Sequence, residues 1–428
     1  MTIAPLPDAA DLLARRARLL GPAYRVLYEE PLHPVRGEGV WLVEANGRRI
    51  LDVYNNVPSV GHCHPRVVEA LARQAAILNT HTRYLHETVL DYAERLLALF
   101  PAELSQVMFT CTGSEANDLA VRVARTVTGN EGFIVTANAY HGVTAALAEM
   151  SPSLGLGVGR HVRTVPAPDS YRVPAAEIGA RFQADVEAAI ASLAEAGIKP
   201  AALLFDTVFA SDGLFVDPAG FVTGAVQAVR GAGGLFIADE VQAGLARMGS
   251  HMWGFERHAL VPDLVTLGKP MGDGHPIAAM IARPALLEEF GRRSRYFNTF
   301  GGNPVSAAVG LAVLDVVRDE ELLGNARRVG AHLLAGLEGL KSLHESVGDV
   351  RGAGLYAGIE MVSDRPSRTA APKLASLVVN GLRREGVLVG LCGAQGQGLK
   401  IRPPLPFSTT DADHFLERLD EVLAKLPA

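Results

Sequence analysis

The chain has 428 residues, of which 48% are hydrophobic and 20% are charged, so it is long enough for two or three domains with a large buried core. Its formal net charge of −6, without a clustered run of Lys and Arg, argues against binding to nucleic acid or to an anionic membrane surface. Cys63, Cys111 and Cys392 are far apart and lack metal-ligand spacing, which is typical of a protein from a reducing compartment.

The N-terminal segment mixes Asp8, Asp11, Arg15 and Arg16 with apolar residues, a pattern that predicts an amphipathic helix rather than a signal peptide. The sequence contains no apolar stretch of about 20 residues without charges, so no membrane span is predicted. We therefore expect a cytoplasmic protein.

Further along the chain, residues 35–55 alternate in polarity around Asn46-Gly47, which predicts a β-hairpin. The middle of the chain alternates short apolar runs with amphipathic stretches, which predicts an α/β domain with a largely parallel sheet covered on both faces. The predicted strands are residues 106–110, 132–136, 201–206, 234–239, 264–267 and 277–282, and the predicted helices include residues 115–126, 184–196 and 220–231.

After Pro304 the sequence predicts a long helix rich in Ala and Val, then Gly-rich strands within residues 352–362 and 388–401. We expect the two ends of the chain, residues 1–58 and 311–428, to form a smaller α+β domain. Residues 59–310 form the large domain in this prediction.

Three groups of residues that follow or close predicted strands are candidates for ligand binding. Thr112, Gly113 and Ser114 open a helix, where backbone N–H groups can approach a phosphate; simple capping of that helix by Thr112 or Ser114 is the alternative. Tyr140, next to His141, can stack on a flat ring or pack on the surface. Asp206 ends a strand, where a carboxylate needs a partner, so a strand-end cap or an ion pair is its alternative.

Asp239 ends the strand at residues 234–239, and Lys269 follows the strand at residues 264–267. A lysine amine can form an imine with an aldehyde, and a carboxylate can keep a pyridine nitrogen protonated, which are the two groups that pyridoxal phosphate requires. Because ligands bind outside the carboxyl ends of strands in such sheets, we expect all these residues to meet at one edge.

The chain resembles the class III (subgroup II) pyridoxal phosphate-dependent aminotransferases, which have the aspartate aminotransferase fold, fold type I. The resemblance runs from about residue 20 to the C-terminus. It is carried by Thr-Gly-Ser-Glu-Ala-Asn (112–117), Tyr-His-Gly (140–142), Ala-Asp-Glu-Val-Gln (238–242), Gly-Lys (268–269) and Phe-Asn-Thr-Phe-Gly-Gly-Asn-Pro (297–304).

The resemblance implies that Lys269 forms the internal aldimine and that Asp239 contacts the pyridine nitrogen. It also implies that Val241 packs on the ring face opposite Tyr140, and that Gln242 approaches the ring hydroxyl. It further implies that Gly113 and Ser114 bind the phosphate, and that Thr299 completes the phosphate site of a neighbouring subunit.

These implied roles predict a homodimer with composite active sites, which could pair into a tetramer. The implied reaction is a ping-pong transfer of an amino group from a small amine or ω-amino acid to a keto acid such as pyruvate or 2-oxoglutarate.

Arg402 lies in a segment similar to the one whose arginine binds a substrate carboxylate in this family, although an arginine before two prolines could also lie on an exposed edge strand. Tyr54 and Asn55 fall where the family has part of its substrate pocket. The family usually has Glu-Pro where this chain has Asp206-Thr207, so pairing of Asp206 with Arg402 is left open.

Other functions remain as alternatives. Residues 78–95 and Gly-Asp-Gly-His-Pro (272–276) resemble the phosphoethanolamine and phosphohydroxylysine phospho-lyases, which eliminate phosphate through the same early chemistry. We rank transamination first because Arg402 suits a carboxylate acceptor and because transamination is the commoner reaction in the family. A non-catalytic pyridoxal phosphate-binding protein is a further alternative. His62 and His64 lack a second ligand pair, so no metal site is predicted.

Overall fold

The structure is a computed structural model that describes residues 8–427. Its strands are β1 (Pro34–Glu38), β2 (Trp41–Glu44), β3 (Arg49–Asp52), β4 (Gln106–Thr110), β5 (Gly132–Thr136), β6 (Val162–Val165), β7 (Pro200–Asp206), β8 (Leu235–Asp239), β9 (Leu264–Leu267), β10 (Ala278–Ala282), β11 (Val347–Ala353), β12 (Tyr356–Asp364), β13 (Thr369–Ala370), β14 (Val387–Leu388), β15 (Gly390–Cys392) and β16 (Gly398–Ile401). Its α-helices are α1 (Ala9–Leu19), α2 (Pro65–Ala75), α3 (Glu87–Leu97), α4 (Gly113–Thr128), α5 (Ala145–Ala148), α6 (Ala175–Glu195), α7 (Thr223–Gly231), α8 (Pro284–Arg293), α9 (Pro304–Asp319), α10 (Leu322–Leu343), α11 (Pro372–Glu385) and α12 (Thr409–Leu423).

A seven-stranded sheet with the order β4-β10-β9-β8-β7-β5-β6 forms the centre of the molecule. Strand β10 is antiparallel to both of its neighbours, and the other six strands share one direction. Alternate residues of the inner strands face opposite sides: Leu204 packs with residues of α4 and α8, whereas Leu203 and Phe205 pack with residues of α6 and α7. The predicted α/β class, with a sheet covered on both faces, is therefore confirmed.

Several predicted bounds differ from the structure. The edge strand β6 was not predicted, because its sequence Val-Arg-Thr-Val contains too short an apolar run to mark a strand. Helix α6 begins at Ala175, nine residues before the predicted start at residue 184, and it follows Pro174, which precedes the helix in an extended conformation. Helix α7 begins three residues after the predicted start at residue 220.

Two smaller sheets are built from the N-terminal and C-terminal parts of the described chain. The predicted hairpin is confirmed: β2 and β3 pair antiparallel, and the Asn46 side chain accepts a hydrogen bond from the Arg48 N–H at 2.9 Å. Strand β14 pairs in parallel with β3 and completes the sheet β1-β2-β3-β14, while β11, β12, β16 and β15 form the other sheet, with β13 paired to β12.

We retain the division into residues 1–58, 59–310 and 311–428 as a proposal. The shared sheet of β3 and β14 supports a smaller unit built from both chain ends. The boundary between residues 310 and 311 falls within α9, so we propose that the whole of this helix joins the large domain to the C-terminal part of the smaller one.

The predicted N-terminal helix is present as α1, and none of its residues is buried. Across residues 8–427, no helix has both the length and the apolar character that crossing a bilayer requires.

Candidate active site

Five strands of the central sheet end at the same edge and bring the predicted residues together. Because β4, β5, β7, β8 and β9 share one direction, the loops that follow them lie side by side. They enclose a cavity of about 200 Å³. Its lining residues are Thr112, Gly113, Ser114, Asn117, Tyr140, His141, Gly142, Asp206, Asp239, Val241, Gln242 and Lys269.

The N-terminus of α4 forms one end of this cavity. The Thr112 hydroxyl accepts a hydrogen bond from the Glu115 N–H at 3.1 Å, so Thr112 does cap the helix. The N–H groups of Gly113 and Ser114 have no partner among the described residues. A Cβ on Gly113 would lie 2.9 Å from Val241 Cγ2, so a larger residue here would force the Val241 side chain to move. This helix end therefore offers two free donors and a partial positive charge to an anion.

Asp239 is buried in the cavity wall and is held by three groups. Its Oδ2 accepts a hydrogen bond from Asn117 Nδ2 at 2.9 Å and lies 2.8 Å from His141 Nδ1, while its Oδ1 accepts from the Val241 N–H at 3.1 Å. The Thr266 hydroxyl donates to Asn117 Oδ1 at 2.6 Å, which fixes the orientation of that amide. The carboxylate is therefore fixed at one position and faces the cavity.

Asn117 is a functional residue that sequence reasoning missed, although it lies in the segment at residues 112–117. It occurs four residues after Gly113 in α4 and is buried, so it lies on the same face of the helix as Gly113. A polar side chain at a buried helical position is the signal that could have identified it.

Lys269 begins a short 3₁₀ helix after β9, and its side chain reaches the same cavity. Burial lowers the pKa of the Lys269 amine, and the nearby positive charge of Arg402 lowers it further, whereas Asp239 and Asp206 act in the opposite direction. A lowered pKa makes the neutral amine, which is both a nucleophile and a base, more available near neutral pH.

Asp206 does not contact Arg402. Its two oxygens accept hydrogen bonds from the Val208 N–H at 3.1 Å and the Ala210 N–H at 3.0 Å. Burial, followed by the charge of Asp239, raises the pKa of Asp206 to about 6. Asp206 therefore caps the end of β7, as the alternative for this residue predicted.

A second cavity, of about 510 Å³, extends from Lys269 toward the C-terminal strands. Tyr54, Tyr140, Gln242 and Arg402 all contribute to its lining. Arg402 is only 7% exposed, which rules out the exposed edge-strand position. Its Nε donates to the Tyr54 carbonyl at 2.9 Å, its guanidinium carbon lies 4.8 Å from the centre of the Tyr54 ring, and its Nη1 donates to Gln242 Oε1.

Lys400 also lines the second cavity, and sequence reasoning assigned it no role. It is buried, and no carboxylate of residues 8–427 forms an ion pair with it. Burial, and then the charge of Arg402, lowers the pKa of Lys400 to about 8. Lys400 and Arg402 are two residues apart in an extended segment, so both project to the same side, which is the signal that could have identified Lys400.

Some predicted residues lie elsewhere. Asn55 is absent from the lining of both cavities described above, and its side-chain oxygen accepts a hydrogen bond from the Val57 N–H in a local turn. Thr299 is exposed between α8 and α9 and reaches neither cavity of its own chain. His62 and His64 pair with Asp52 and Glu320, and the described residues contain no group of three or more side chains that could hold a metal ion.

The groups around the first cavity fit pyridoxal phosphate. The free N–H groups at the start of α4 suit its phosphate, Tyr140 and Val241 provide walls for a flat ring, and Asp239 and Lys269 supply the carboxylate and the amine. His141 Nε2 is buried and has no hydrogen-bond partner among the described residues. Buried polar atoms are normally hydrogen-bonded, so this nitrogen is open to a hydrogen bond from a ligand in the cavity.

Comparison with known proteins agrees with this fit. Residues 24–423 match the family model described as aminotransferase class-III. Alanine–glyoxylate aminotransferase 2-like of Drosophila melanogaster is 40% identical, over 96% of this chain and 87% of its own length. Ethanolamine-phosphate phospho-lyase homolog 1 of Caenorhabditis elegans is 35% identical, over 96% of this chain and 93% of its own length.

A solved structure of a phospholyase from Arthrobacter, in complex with phosphoethanolamine, is 45% identical to this chain. It superposes with a TM-score of 0.94 and covers 97% of this chain and 100% of its own. The fold is fold type I of the pyridoxal phosphate enzymes, and the chain belongs to the pyridoxal phosphate-dependent class III aminotransferase family.

Proposed function

We propose that this aminotransferase moves an amino group from a small amine or ω-amino acid to a keto acid such as pyruvate or 2-oxoglutarate. The observation that carries the proposal is the position of Lys269, an amine of lowered pKa that lines both cavities, between the held carboxylate of Asp239 and the cation of Arg402. In this arrangement the Lys269 amine can act as a base next to Arg402, which can bind a substrate carboxylate.

Bound pyridoxal phosphate supplies an electron sink for the carbon that carries the substrate amine. In our proposal Lys269 Nζ would hold the cofactor covalently until the substrate amine replaces it, and the freed Lys269 amine would then take a proton from that carbon and return it at another position. Asp239 would hold the protonated pyridine nitrogen, and Gly113 and Ser114 would bind the phosphate. Tyr140 and Val241 would confine the ring, Gln242 would hydrogen-bond its hydroxyl, and Arg402 would orient a substrate carboxylate through a bidentate pair.

Phosphate elimination is the second candidate, and Lys400 favours it. Lys400 and Arg402 present two buried positive charges to one cavity, and Asp206 does not neutralise either of them through a direct contact. A phosphate dianion can compensate both charges, whereas one carboxylate leaves a buried charge uncompensated. The similarity to the Arthrobacter phospholyase supports this candidate as well.

The two reactions differ in their products. We would incubate the loaded enzyme with phosphoethanolamine and measure free phosphate, beside alanine or a diamine with pyruvate or 2-oxoglutarate and a measurement of keto acid consumption. Our proposal predicts keto acid consumption. Phosphate release without keto acid consumption would favour the second candidate. The Lys269→Ala protein controls for contaminating phosphatase.

Bound cofactor without turnover in either assay would favour a non-catalytic pyridoxal phosphate-binding protein. The assays should therefore use protein whose cofactor content has been measured by its visible absorbance. That measurement separates an inactive enzyme from an unloaded one.

We also propose a homodimer in which Thr299 of one subunit completes the phosphate site of the other, with a tetramer as a further possible assembly. Thr299 precedes Phe300, which is 70% exposed, and the His81 ring joins the nearby Phe297 to Tyr84, which is 64% exposed, so a partner would cover an apolar surface here. Sedimentation tests the assembly. A monomer that binds the cofactor as tightly as the assembled protein would contradict the composite site.

A cytoplasmic location is part of the proposal. The three cysteines are free, which suits a reducing compartment. Fractionation of cells that express the full chain would test it, and recovery from an organelle would contradict it.

A further inference from the structure

Gln242, Tyr356 and Arg402 meet between the two cavities. Gln242 Oε1 accepts hydrogen bonds from the Tyr356 hydroxyl at 3.1 Å and from Arg402 Nη1. Because a guanidinium can only donate, the amide oxygen must be the atom that faces Arg402. The Gln242 Nε2 group therefore points elsewhere, and it has no partner among the described residues although Gln242 lines the cavity with Lys269.

Arg247 brings the backbones of these three residues together. It lies five residues after Gln242 in the same loop and is 1% exposed. Its Nη1 donates to the Leu355 carbonyl at 2.9 Å and to the Pro403 carbonyl at 2.7 Å. Leu355 directly precedes Tyr356, and Pro403 directly follows Arg402. One buried side chain thus sets the position of Tyr356 and Arg402 relative to the Gln242 loop.

The conformation of the loop between Gln242 and Arg247 is also unusual. Leu245 and Ala246 are both buried and have φ angles of 61° and 67°, in the left-handed region that non-glycine residues rarely adopt. Such residues are strained and persist only where the surrounding structure holds them. The loop is therefore held in one conformation, which suits a positioning function.

Arg402 rests on neutral partners only, since the Tyr54 carbonyl and Gln242 Oε1 are its side-chain hydrogen-bond acceptors among the described residues. An anion that binds Arg402 therefore competes with an amide oxygen and not with a carboxylate. When the guanidinium turns to the anion, Gln242 Oε1 loses a charged donor and keeps the Tyr356 hydroxyl. Hydrogen bonds polarise one another, so this change alters the donor strength of Nε2.

We propose that Tyr356 is a positioning residue that keeps Gln242 oriented, so that anion binding at Arg402 is transmitted through the Gln242 amide to the cofactor cavity beside Lys269. The inference rests on one part of the proposed function, the binding of an anionic group at Arg402. Asp206, Asp239, His141, Tyr140 and Lys400 also face this region, and the variants below leave all of them unchanged.

The experiment follows the visible absorbance of the cofactor-loaded protein at fixed pH while inorganic phosphate is added, and measures phosphate binding in parallel by calorimetry. Tyr356→Phe removes only the hydroxyl, and Tyr92→Phe is the matched control because Tyr92 is also fully buried but packs against Phe109, away from both cavities. We expect Tyr356→Phe to change the phosphate Kd by less than about threefold, and to reduce the absorbance change per bound phosphate by about half or more. Tyr92→Phe should behave as the parent protein does.

An absorbance response in Tyr356→Phe equal to that of the parent would overturn the inference, because a direct electrostatic effect of the anion would not need the hydroxyl. A parent protein that binds no phosphate, or binds it without an absorbance response, would also overturn it. Neither measurement requires turnover, so failure of the proposed reaction leaves this result interpretable.

Gln242→Glu provides a second test that does not depend on the folding of the Tyr356 variant. A carboxylate at this position forms an ion pair with Arg402, which an incoming anion must displace. We expect the phosphate Kd to weaken by about tenfold or more, because a hydrogen bond between charged groups is stronger than one to an amide. Unchanged phosphate binding would mean that Arg402 does not pair with this side chain, and would overturn the inference.

Discussion

The two ends of the active site differ in how their charges are compensated. At the cofactor end, Asp239 has three hydrogen-bonding neighbours, and α4 supplies donors for an anion. At the other end, around the second cavity, Lys400 and Arg402 are buried, and neither forms an ion pair with a carboxylate of residues 8–427. The cofactor end is thus organised by the chain itself, whereas in our proposal an anionic ligand completes the charge balance of the substrate end.

The largest expected effect comes from Lys269→Ala, at the junction of the two ends. Removal of the amine abolishes both the covalent attachment of the cofactor and the proton transfer, so we expect turnover to fall by about 10³-fold or more. Visible spectra and a multiple-turnover assay measure the two effects. Retained imine absorbance with multiple turnover would contradict the role of Lys269.

The substrate end should respond to pH through Lys400. With a pKa of about 8, the Lys400 amine is charged below that pH and becomes neutral as the pH rises through it. We therefore expect inorganic phosphate to bind most tightly below about pH 8, and to bind about tenfold more weakly at about pH 9 through loss of a charged hydrogen bond. Calorimetry on either side of this pKa measures the change.

Lys400→Met is the control for this pH dependence, since it keeps much of the side-chain volume without the charge. It retains the titration of phosphate itself and that of Lys269, so the difference between the two proteins isolates Lys400. Equal pH dependence in both proteins would show that Lys400 does not bind the anion.

The smallest expected effect lies at the cofactor end, where Thr112 caps α4. Thr112→Ala removes the acceptor for the Glu115 N–H and should lower the free energy of unfolding by about 1 kcal/mol. Thr112→Ser keeps the hydroxyl and should restore most of that loss. Denaturant unfolding compares the variants. A Thr112→Ala protein as stable as the parent would mean that the cap contributes no measurable stability.

The difference between the cofactor end and the substrate end also explains which residues could be predicted from the sequence. Gly113, Tyr140, Asp206, Asp239 and Lys269 each follow or close a recognisable strand, so sheet topology alone brings them together. The antiparallel direction of β10 was not predicted, because an apolar run carries no information about its direction.

The substrate end depends on contacts between distant parts of the chain. Tyr356 lies in a Gly-rich stretch, and its contact with Gln242 requires the packing of β12 against the loop after β8. Asn55 shows the converse case, because its position in the sequence near Tyr54 suggested the pocket while its side chain completes a turn. Residues that act through long-range packing leave little local pattern.

The pairing of β3 with β14 has a consequence for how the protein is made. Leu51 lies opposite Val387, so the N-terminal hairpin lacks its neighbouring strand until most of the chain has left the ribosome. Arg402, which contacts Tyr54, arrives later still. Contacts between residues so far apart in sequence form late because the intervening chain must first be ordered. During synthesis, the segments of the central sheet that line the first cavity therefore emerge before Lys400 and Arg402, the two cations of the second cavity.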